Sequence, residues 1–406
     1  MLIRNARLIL GGKAVQKDIL IQGGKIKSIG KFRGKGIDAT GLFALPGLID
    51  AHVHLREPGA THKEDFRTGT RAALSGGVTT VLDMPNNSPP TTTLSALKEK
   101  RRLASRKAAC DYGFHFGAGH GNFEDVEKAK PGSLKVYMGK TTGDLFLPDE
   151  KLIFLHFQRF PKEKPIVVHA EDQAIIDAEG RTPLAAQAAV AKAAMLARKA
   201  SRRICIAHAG TSLEVELAKR WEKSLVETCP HYLFLNENDA KRLGCFGKVY
   251  PPLRSEQDRM KMWAALDSID YLSTDHAPHT PGEKEEGAAG FPGLGASLPL
   301  LLDAHSKGLL SMGWILSRAC ENPARIFNIR GKGKIAPGFQ ADIALVDLRR
   351  EWKVRAEGME SKCKWSPYEG MALKGRVEKV IFRGTLAYEH GSGIISETRG
   401  KEVMAR

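Results

Sequence analysis

The sequence lacks the features of disulfide-stabilised, secreted and membrane proteins. Its six cysteines are widely separated and include no CxxC pair, which argues against a disulfide framework and against a structural zinc site of the usual spacing. No apolar run approaches the roughly 18 residues of a membrane span, and Arg4, Arg7 and a Gly pair interrupt the N-terminal segment before a signal-length run develops. We therefore expect a cytoplasmic protein with inert thiols and no membrane partner.

Acidic residues are also in short supply. The chain has 46 Asp and Glu residues against 62 Lys and Arg residues, which gives a formal net charge of +16. Such an excess is compatible with a nucleic-acid partner, an acidic protein partner or a solvated surface that attracts small anions. The basic residues are scattered along predicted helices and no nucleic-acid-binding motif accompanies them, so we expect no nucleic-acid partner.

The chain contains no fixed-period repeat and no low-complexity linker, although its 406 residues exceed one ordinary domain. Residues 1–45 have the pattern of short strands separated by Gly-Gly turns, and residues 333–406 return to the same pattern. We predict that the two chain ends pair into one small β-sandwich.

Residues 46–332 alternate apolar, β-branched runs with helical patterns, which is typical of parallel β-α units. About eight candidate strands occur, the number that closes a TIM-type barrel. They are GLIDAHVH, VTTVLDM, DYGFHFG, SLKVYM, PIVVHA, ICIAHA, SLVETC and DYLSTD. We therefore predict an α/β protein in which a (β/α)8 barrel forms the catalytic domain and the sandwich is a satellite.

Potential metal ligands stand where these predicted strands end, at the place where barrel active sites are built. His52 and His54 are two residues apart, and alternation along a strand sends both imidazoles to one face. Alone, such a pair is equally compatible with a surface strand. Four other predicted strands end with a potential ligand: Lys135, His169, His208 and Asp275. Together they predict a metal site inside the barrel.

Lys135 does not suit a divalent metal as an ammonium group, because that group is a cation without a free lone pair. A surface lysine is the alternative interpretation. The neighbouring residues SL and VYM are typical of a strand, however, and a lysine at the strand end would face the same cavity as the histidines.

The segments PGLIDAHVHLREPG (46–59), LDMPNNSP (82–89) and STDHAPH (273–279) resemble the amidohydrolase superfamily and, within it, the class I dihydroorotases. The resemblance extends over nearly the whole chain, including both ends. It implies a zinc-dependent cyclic amidohydrolase that interconverts N-carbamoyl-L-aspartate and L-dihydroorotate in de novo pyrimidine biosynthesis.

The resemblance also implies the metal ligands. Two zinc ions per subunit would be bridged by Lys135, carboxylated by carbon dioxide, and by a hydroxide. The first ion would be held by His52, His54 and Asp275, and the second by His169 and His208. Asp275 would also carry a proton between the water and the departing amide nitrogen.

Substrate recognition is expected from three further residues. Arg56 is close to the histidine pair, and a guanidinium is the side chain best suited to hold a carboxylate with two hydrogen bonds. Asn86 and His279 match residues that complete the substrate contacts in similar dihydroorotases. Without the resemblance, an Asx-turn for Asn86 and a surface loop for His279 are the simpler interpretations.

Two positions differ from the pattern of similar proteins, and both bear on which substrate is bound. Tyr250 stands before PPLR where bacterial relatives have Asn, and residues 293–296 are GLGA, with Gly295, where relatives commonly have GLET. A hydantoinase or allantoinase, and a non-catalytic partner of aspartate transcarbamoylase, are the alternative functions. A homodimer and a transcarbamoylase partner are left open. The Gly-rich segment 279–295 is compatible with a lid or with a solvated crossover loop.

Overall fold

Two sheets organise the chain, one from its middle and one from its two ends. The computed structural model describes residues 1–404. The strands are β1 Leu2–Leu10, β2 Lys13–Gln22, β3 Lys25–Gly30, β4 Ile37–Asp38, β5 Phe43–Pro46, β6 Leu48–Val53, β7 Val78–Asp83, β8 Asp111–Gly117, β9 Ser133–Tyr137, β10 Ile166–His169, β11 Ile204–Ile206, β12 Ser224–Thr228, β13 Tyr271–Leu272, β14 Ile343–Lys353, β15 Ala372–Phe382, β16 Thr385–Glu389 and β17 Gly393–Ile394.

Helices fill most of the connections in the middle region. They are α1 Phe66–Ser75, α2 Leu94–Lys107, α3 Phe123–Ala129, α4 Glu150–Arg159, α5 Gln173–Glu179, α6 Pro183–Lys199, α7 Ser212–Lys219, α8 Pro230–Phe234, α9 Glu237–Leu243, α10 Glu256–Ala264, α11 Pro281–Glu285, α12 Ser297–Ser306, α13 Met312–Leu316 and α14 Asn322–Ile326. No helix within residues 1–404 is long and apolar enough to cross a membrane.

Strands β6 to β13 form one parallel sheet in chain order. Val53, at the end of β6, pairs with His276 beyond β13, and the His54 amide donates to the His276 carbonyl at 2.8 Å, which brings the first and last strands together. Most of these strands are wholly buried, because parallel strands in a barrel are covered on both faces. All eight predicted strands are present, and the predicted (β/α)8 barrel is confirmed.

The amphipathic helices cover the barrel. In α6 the buried residues recur at spacings of three and four, which places small alanine side chains along one face against the barrel wall. Helix α1 begins at a capping box in which Asp65 and Thr68 satisfy each other's backbone amides. The helix predicted over 183–200 is therefore confirmed as a packing element.

The two chain ends build the second sheet together. Strand β5 from the N-terminal part pairs in parallel with β1 and antiparallel with β14 from the C-terminal part, which joins the two ends into one nine-stranded sheet. Its core combines Ile3, Ile19 and Ile21 with Ile343 and Ile381. The predicted pairing of the two chain ends into a small β-sandwich is confirmed as a separate unit whose strands form one nine-stranded sheet, whereas the domain boundaries at 45/46 and 332/333 stay a prediction.

The segment after β17 returns to the barrel. The Tyr112 amide donates to the Lys401 carbonyl at 3.1 Å, and the Val403 amide donates to the Tyr112 carbonyl at 2.8 Å. The Met404 side chain is buried close to Gly113 and Gly132. The tail therefore closes the end of the barrel at which strand β8 begins, opposite the end that carries the predicted ligands.

Candidate metal centre

The first group of predicted ligands comes from β6 and from the segment beyond β13. The His54 Nε2 atom lies 3.0 Å from Asp275 Oδ1, and the His52 Nε2 atom lies 3.3 Å from the same oxygen. The ligand atoms of these three residues all lie within 4.8 Å of one another. Two imidazole nitrogens and a carboxylate oxygen at this spacing suit a divalent transition metal.

The second group comes from the ends of β10 and β11. His169 Nδ1 faces His208 Nε2 at 2.9 Å, and both rings are buried. The ring centre of His208 lies 5.4 Å from that of His52, so the two groups share one cavity. The structure thus brings together the four histidines and the aspartate that the sequence singled out.

Lys135 enters the same cavity from β9. It is completely buried, and its Nζ atom has no hydrogen-bond partner within residues 1–404. Nζ lies 5.3 Å from the centre of the Tyr137 ring. Burial lowers the pKa of this amine, because an ammonium group loses its hydration there. A buried amine without a partner is costly, and its position beside the histidines fits a group that becomes a metal ligand.

The charge states of the other groups also suit metal binding. Burial, together with the neighbouring cationic groups, holds the pKa of His52 and of His208 well below its usual range, so both rings are neutral and can offer a lone pair. Burial raises the pKa of Asp275, but its hydrogen bond and charge interaction with His54 outweigh that effect and leave the pKa below the usual value. Asp275 is therefore a carboxylate.

Three residues of this site have strained backbone conformations. Arg56, His208 and Asp275 have φ angles of 62°, 42° and 50°, in the left-handed region that side chains other than glycine rarely adopt. Such conformations persist where the surrounding structure holds them, and they cluster at functional sites. These backbone conformations direct the three side chains into the cavity.

Two buried glutamates that the sequence analysis did not single out orient the histidines. Glu227 Oε1 lies 2.7 Å from His52 Nδ1 and accepts the His208 amide at 3.0 Å, while Glu171 Oε2 lies 3.0 Å from His169 Nε2. Carboxylates in such positions set the tautomer and direction of a ligating imidazole. The signal for Glu227 was a glutamate inside the apolar strand SLVETC, and that for Glu171 its place two residues after His169.

Of the three predicted substrate-binding residues, two line the cavity and one does not. Arg56 and Asn86 line the cavity, and Asn86 Oδ1 lies 2.7 Å from His54 Nδ1. His279 is 2% exposed and stands beside Arg56 rather than among the residues that line the cavity. A surface-loop position for His279 is therefore wrong, and its direct contact with substrate stays a prediction, as do the roles of Arg56 and Asn86.

The two positions that depart from the family pattern, Tyr250 and Gly295, lie at different distances from the cavity. Tyr250 lines it, and the Arg181 guanidinium stacks on the Tyr250 ring with Cζ 3.8 Å from the ring centre. Gly295 lies beside Met359 and is not among the lining residues. Of the two, Tyr250 is the position able to influence the choice of substrate.

Segment 279–295 forms part of the cavity wall. Ala289 and Gly290 line the cavity, and the buried Lys284 amine donates to the carbonyls of Lys248, Ala288 and Gly290 at 2.7, 2.8 and 3.2 Å. The Lys284 amine thereby links segment 279–295 to Lys248, which precedes the segment in the same chain. Its inner part is packed over the site and is not a solvated crossover loop.

Comparisons with known proteins agree with this arrangement. The model of the amidohydrolase family matches residues 43–387. A dihydroorotase of Pyrococcus abyssi is 37% identical over 411 residues, which cover 99% of this chain and 98% of that protein. The multifunctional protein CAD of Squalus acanthias is 39% identical over 373 residues, which cover 90% of this chain and 16% of that protein. The solved L-hydantoinase (dihydropyrimidinase) of Arthrobacter aurescens has a TM-score of 0.94 at 30% identity, with 99% of each chain covered.

Proposed function

The chain belongs to the amidohydrolase family and groups there with the dihydroorotases, and from this premise we propose that it interconverts N-carbamoyl-L-aspartate and L-dihydroorotate in de novo pyrimidine biosynthesis. The observation that carries the choice of substrate is the buried Arg56 on the wall of the candidate metal site. Its Nε atom donates to the Pro278 carbonyl, and its Nη2 atom lies 3.0 Å from His279 Nε2. A guanidinium placed there suits the carboxylate that both proposed reactants carry.

We propose two zinc ions as the cofactor. His52, His54 and Asp275 would hold one, His169 and His208 would hold the other, and Lys135 would serve as a further ligand after carboxylation. In that modification the neutral amine of Lys135 forms a bond to the carbon of carbon dioxide and releases one proton, so a neutral group becomes an anionic ligand with two oxygens. When bound, the ions lower the pKa of a shared water and polarise the ring carbonyl. The Lys135 Nζ atom, which has no hydrogen-bond partner within residues 1–404, supports this assignment.

Asp275 moves the proton in this proposal. During ring opening, water adds to the ring carbonyl, and the Asp275 carboxylate accepts the proton that the water loses. The same carboxyl group then donates that proton to the ring nitrogen as the bond between nitrogen and carbonyl carbon breaks. Ring closure follows these steps in reverse. The pKa of Asp275, which lies below its usual value, supports the role because the carboxylate is ionised and able to accept a proton.

A hydantoinase-type activity on an uncharged ring is the second candidate. The fold similarity to the Arthrobacter aurescens L-hydantoinase and the Tyr250 side chain in the cavity favour it. Arg56 opposes it, since a neutral ring offers no carboxylate to balance a buried guanidinium. We place this candidate second for that reason.

The remaining expectations belong to the same proposal. A filled set of ligand positions supports catalysis over a purely structural role beside aspartate transcarbamoylase. A transcarbamoylase partner and a homodimer stay predictions, as does the cytoplasmic location expected from the thiols, of which five of six are buried.

The test is a substrate panel with zinc-loaded protein in bicarbonate buffer. N-carbamoyl-L-aspartate and L-dihydroorotate are compared with hydantoin and allantoin for the wild type, Arg56→Ala and the control Arg101→Ala, whose guanidinium pairs with Glu402 at the other end of the barrel. Loss of a charged two-bond contact predicts a KM for dihydroorotate raised about 100-fold in Arg56→Ala alone.

Metal analysis and mass spectrometry of the same samples check that each variant holds two zinc ions and one added carbon dioxide. Turnover of hydantoin or allantoin, with none of dihydroorotate, would assign the chain to the second candidate. Absence of any turnover with metal bound would favour the partner role.

A further inference from the structure

His279 lies between two cations. Its Nε2 atom is 3.0 Å from Arg56 Nη2, and its Nδ1 atom is 3.3 Å from Lys63 Nζ. Burial, followed by the charges of Arg56 and Lys63, lowers the pKa of His279 to about 2. The ring is therefore neutral, and a neutral imidazole has one nitrogen that accepts a hydrogen bond and one that donates. The two cations compete for the same acceptor.

A backbone carbonyl decides this competition. The Ala289 carbonyl oxygen lies 3.1 Å from His279 Nε2, and a carbonyl can only accept. With the proton on Nε2, His279 donates to Ala289 and accepts from Lys63, and Nε2–H also faces the Arg56 guanidinium. With the proton on Nδ1, it accepts from Arg56, but Nδ1–H faces the Lys63 ammonium and the Ala289 carbonyl loses its donor. Of these three hydrogen-bond contacts, the first tautomer satisfies two and the second satisfies one, while Glu283 Oε2, 3.8 Å from Nδ1, lies beyond hydrogen-bond distance.

Lys63 is held in place for this contact. Its Nζ atom forms an ion pair with Glu283 Oε1 at 2.9 Å, and its side chain is 17% exposed. Glu283 in turn caps helix α11, where its carboxylate accepts the Thr280 amide at 3.0 Å. The Glu283 carboxylate thus holds the ammonium against the far side of the imidazole.

We propose that Lys63 is a positioning residue that fixes His279 in the tautomer with its proton on Nε2 and thereby leaves the Arg56 Nη2 donor free for the substrate carboxylate. Because the His279 acceptor is taken by Lys63, the guanidinium finds no acceptor on that ring. This inference rests on the proposed function only where it names the carboxylate, since the tautomer itself is a property of the free protein.

The first measurement is the tautomer. The ring 15N chemical shifts of His279, assigned by comparison with a His279→Asn variant, distinguish the two forms in the metal-loaded protein without substrate. We expect the proton on Nε2 in the wild type. In Lys63→Met, which removes the donor and the charge, we expect a shift toward the form with the proton on Nδ1 and a hydrogen bond from Arg56 to Nε2. Lys63→Arg, which keeps a cationic donor, should restore the wild-type form.

Kinetics supply the second measurement. Once Arg56 donates to His279, its guanidinium offers one donor fewer to a carboxylate, so the KM for dihydroorotate in Lys63→Met should rise about tenfold, with a smaller change in kcat. Lys63→Arg should return the KM toward the wild-type value. The control is Lys219→Met, which removes a partly exposed ion pair with Asp270 on another part of the barrel and should change neither the tautomer nor the KM.

The outcomes separate the two proposals. A wild-type spectrum with the proton on Nδ1 overturns the inference whether or not the enzyme is active, and so does an unchanged tautomer in folded Lys63→Met. An absence of dihydroorotate turnover in the wild type, with the expected tautomer, would overturn the proposed function and leave the role of Lys63 in place.

Discussion

At the carboxyl ends of the barrel strands, Lys135 Nζ, His208 Nδ1 and Glu227 Oε2 are buried without a hydrogen-bond partner within residues 1–404. At the opposite end, around the start of β8, buried charges are matched. Asp111 accepts from Lys332 at 2.7 Å and from Arg383 at 2.8 Å, and Asp342 also pairs with Lys332. The charges around the start of β8 are thus paired, whereas Lys135 at the carboxyl end has no hydrogen-bond partner within residues 1–404.

The difference shows what each end contributes. Burying a charge costs several kcal/mol unless it is paired and hydrogen-bonded, so unmatched groups persist in a folded protein where another role retains them. The matched cluster links β8 of the barrel, through Asp111, to Lys332, Asp342 and Arg383 of the chain that forms the end sheet. We infer that the carboxyl end serves chemistry and the amino end serves stability.

The strongest effect is expected from Asp275→Asn, which should reduce activity without reducing stability. In Asp275→Asn the carboxylate that we propose as metal ligand and proton carrier becomes an amide, so kcat should fall by up to about 10⁴-fold. The free energy of unfolding of the metal-free protein should stay within about 1 kcal/mol of the wild-type value, measured by urea denaturation. A loss of stability that matches the loss of activity would contradict this division.

The second effect is a loss of stability, which we expect when the charge cluster around the start of β8 is disrupted. Asp111→Asn leaves Lys332 and Arg383 buried or partly buried with one carboxylate fewer, so the free energy of unfolding should fall by about 3–5 kcal/mol. The kcat of the remaining folded protein should be unchanged, because the cluster lies at the far end of the barrel. A fall in kcat without a loss of stability would place Asp111 in the reaction instead.

A smaller effect depends on pH. Burial lowers the pKa of Lys332, but the charges of Asp342 and Asp111 outweigh burial and raise the pKa above the usual 10.5. Lys332 therefore stabilises the folded state fully below pH 10.5, and that contribution is lost as the pH rises through the higher folded-state value. Denaturation from pH 8 to about 11.5 should show a steeper alkaline loss of stability in the wild type than in Lys332→Met. Parallel profiles would disprove this linkage.

The smallest effect concerns a pair on the barrel surface. Lys192 contacts Glu150 at 2.7 Å and Asp172 at 3.0 Å, but its side chain is 31% exposed. Solvent screens such pairs, so Lys192→Met should change the free energy of unfolding by less than about 1 kcal/mol and leave kcat unchanged. This variant is the reference for judging the Asp111 result, and a larger change would show that surface pairs also carry the barrel's stability.

The sequence predicted the barrel and its principal ligands for a physical reason. A parallel strand is buried on both faces, so it appears in the sequence as an apolar run. Polar residues begin where such a strand ends, and His52, His169 and Asp275 stand at these positions. The satellite sheet was predictable because alternating strands with Gly turns recur at both chain ends.

Three features were not predictable in this way. The contact of Glu227 with His52 crosses the barrel between strands far apart in the chain, and no local pattern reports such a contact. The place of His279 behind Arg56 depends on the path of a loop. The return of residues 398–404 to the start of β8 depends on backbone hydrogen bonds that any sequence without proline can make.

The sequence by itself determined the kinds of atoms at the site, four imidazoles, a carboxylate, a lysine amine and a guanidinium, because strand ends in a parallel barrel converge wherever the strands close. The tertiary structure alone decided which of these atoms are satisfied and which are left without partners. That outcome depends on distances of about 3 Å from His279 to residues as remote in the sequence as Arg56 and Lys63, and a hydrogen bond forms or fails within a few tenths of an ångström.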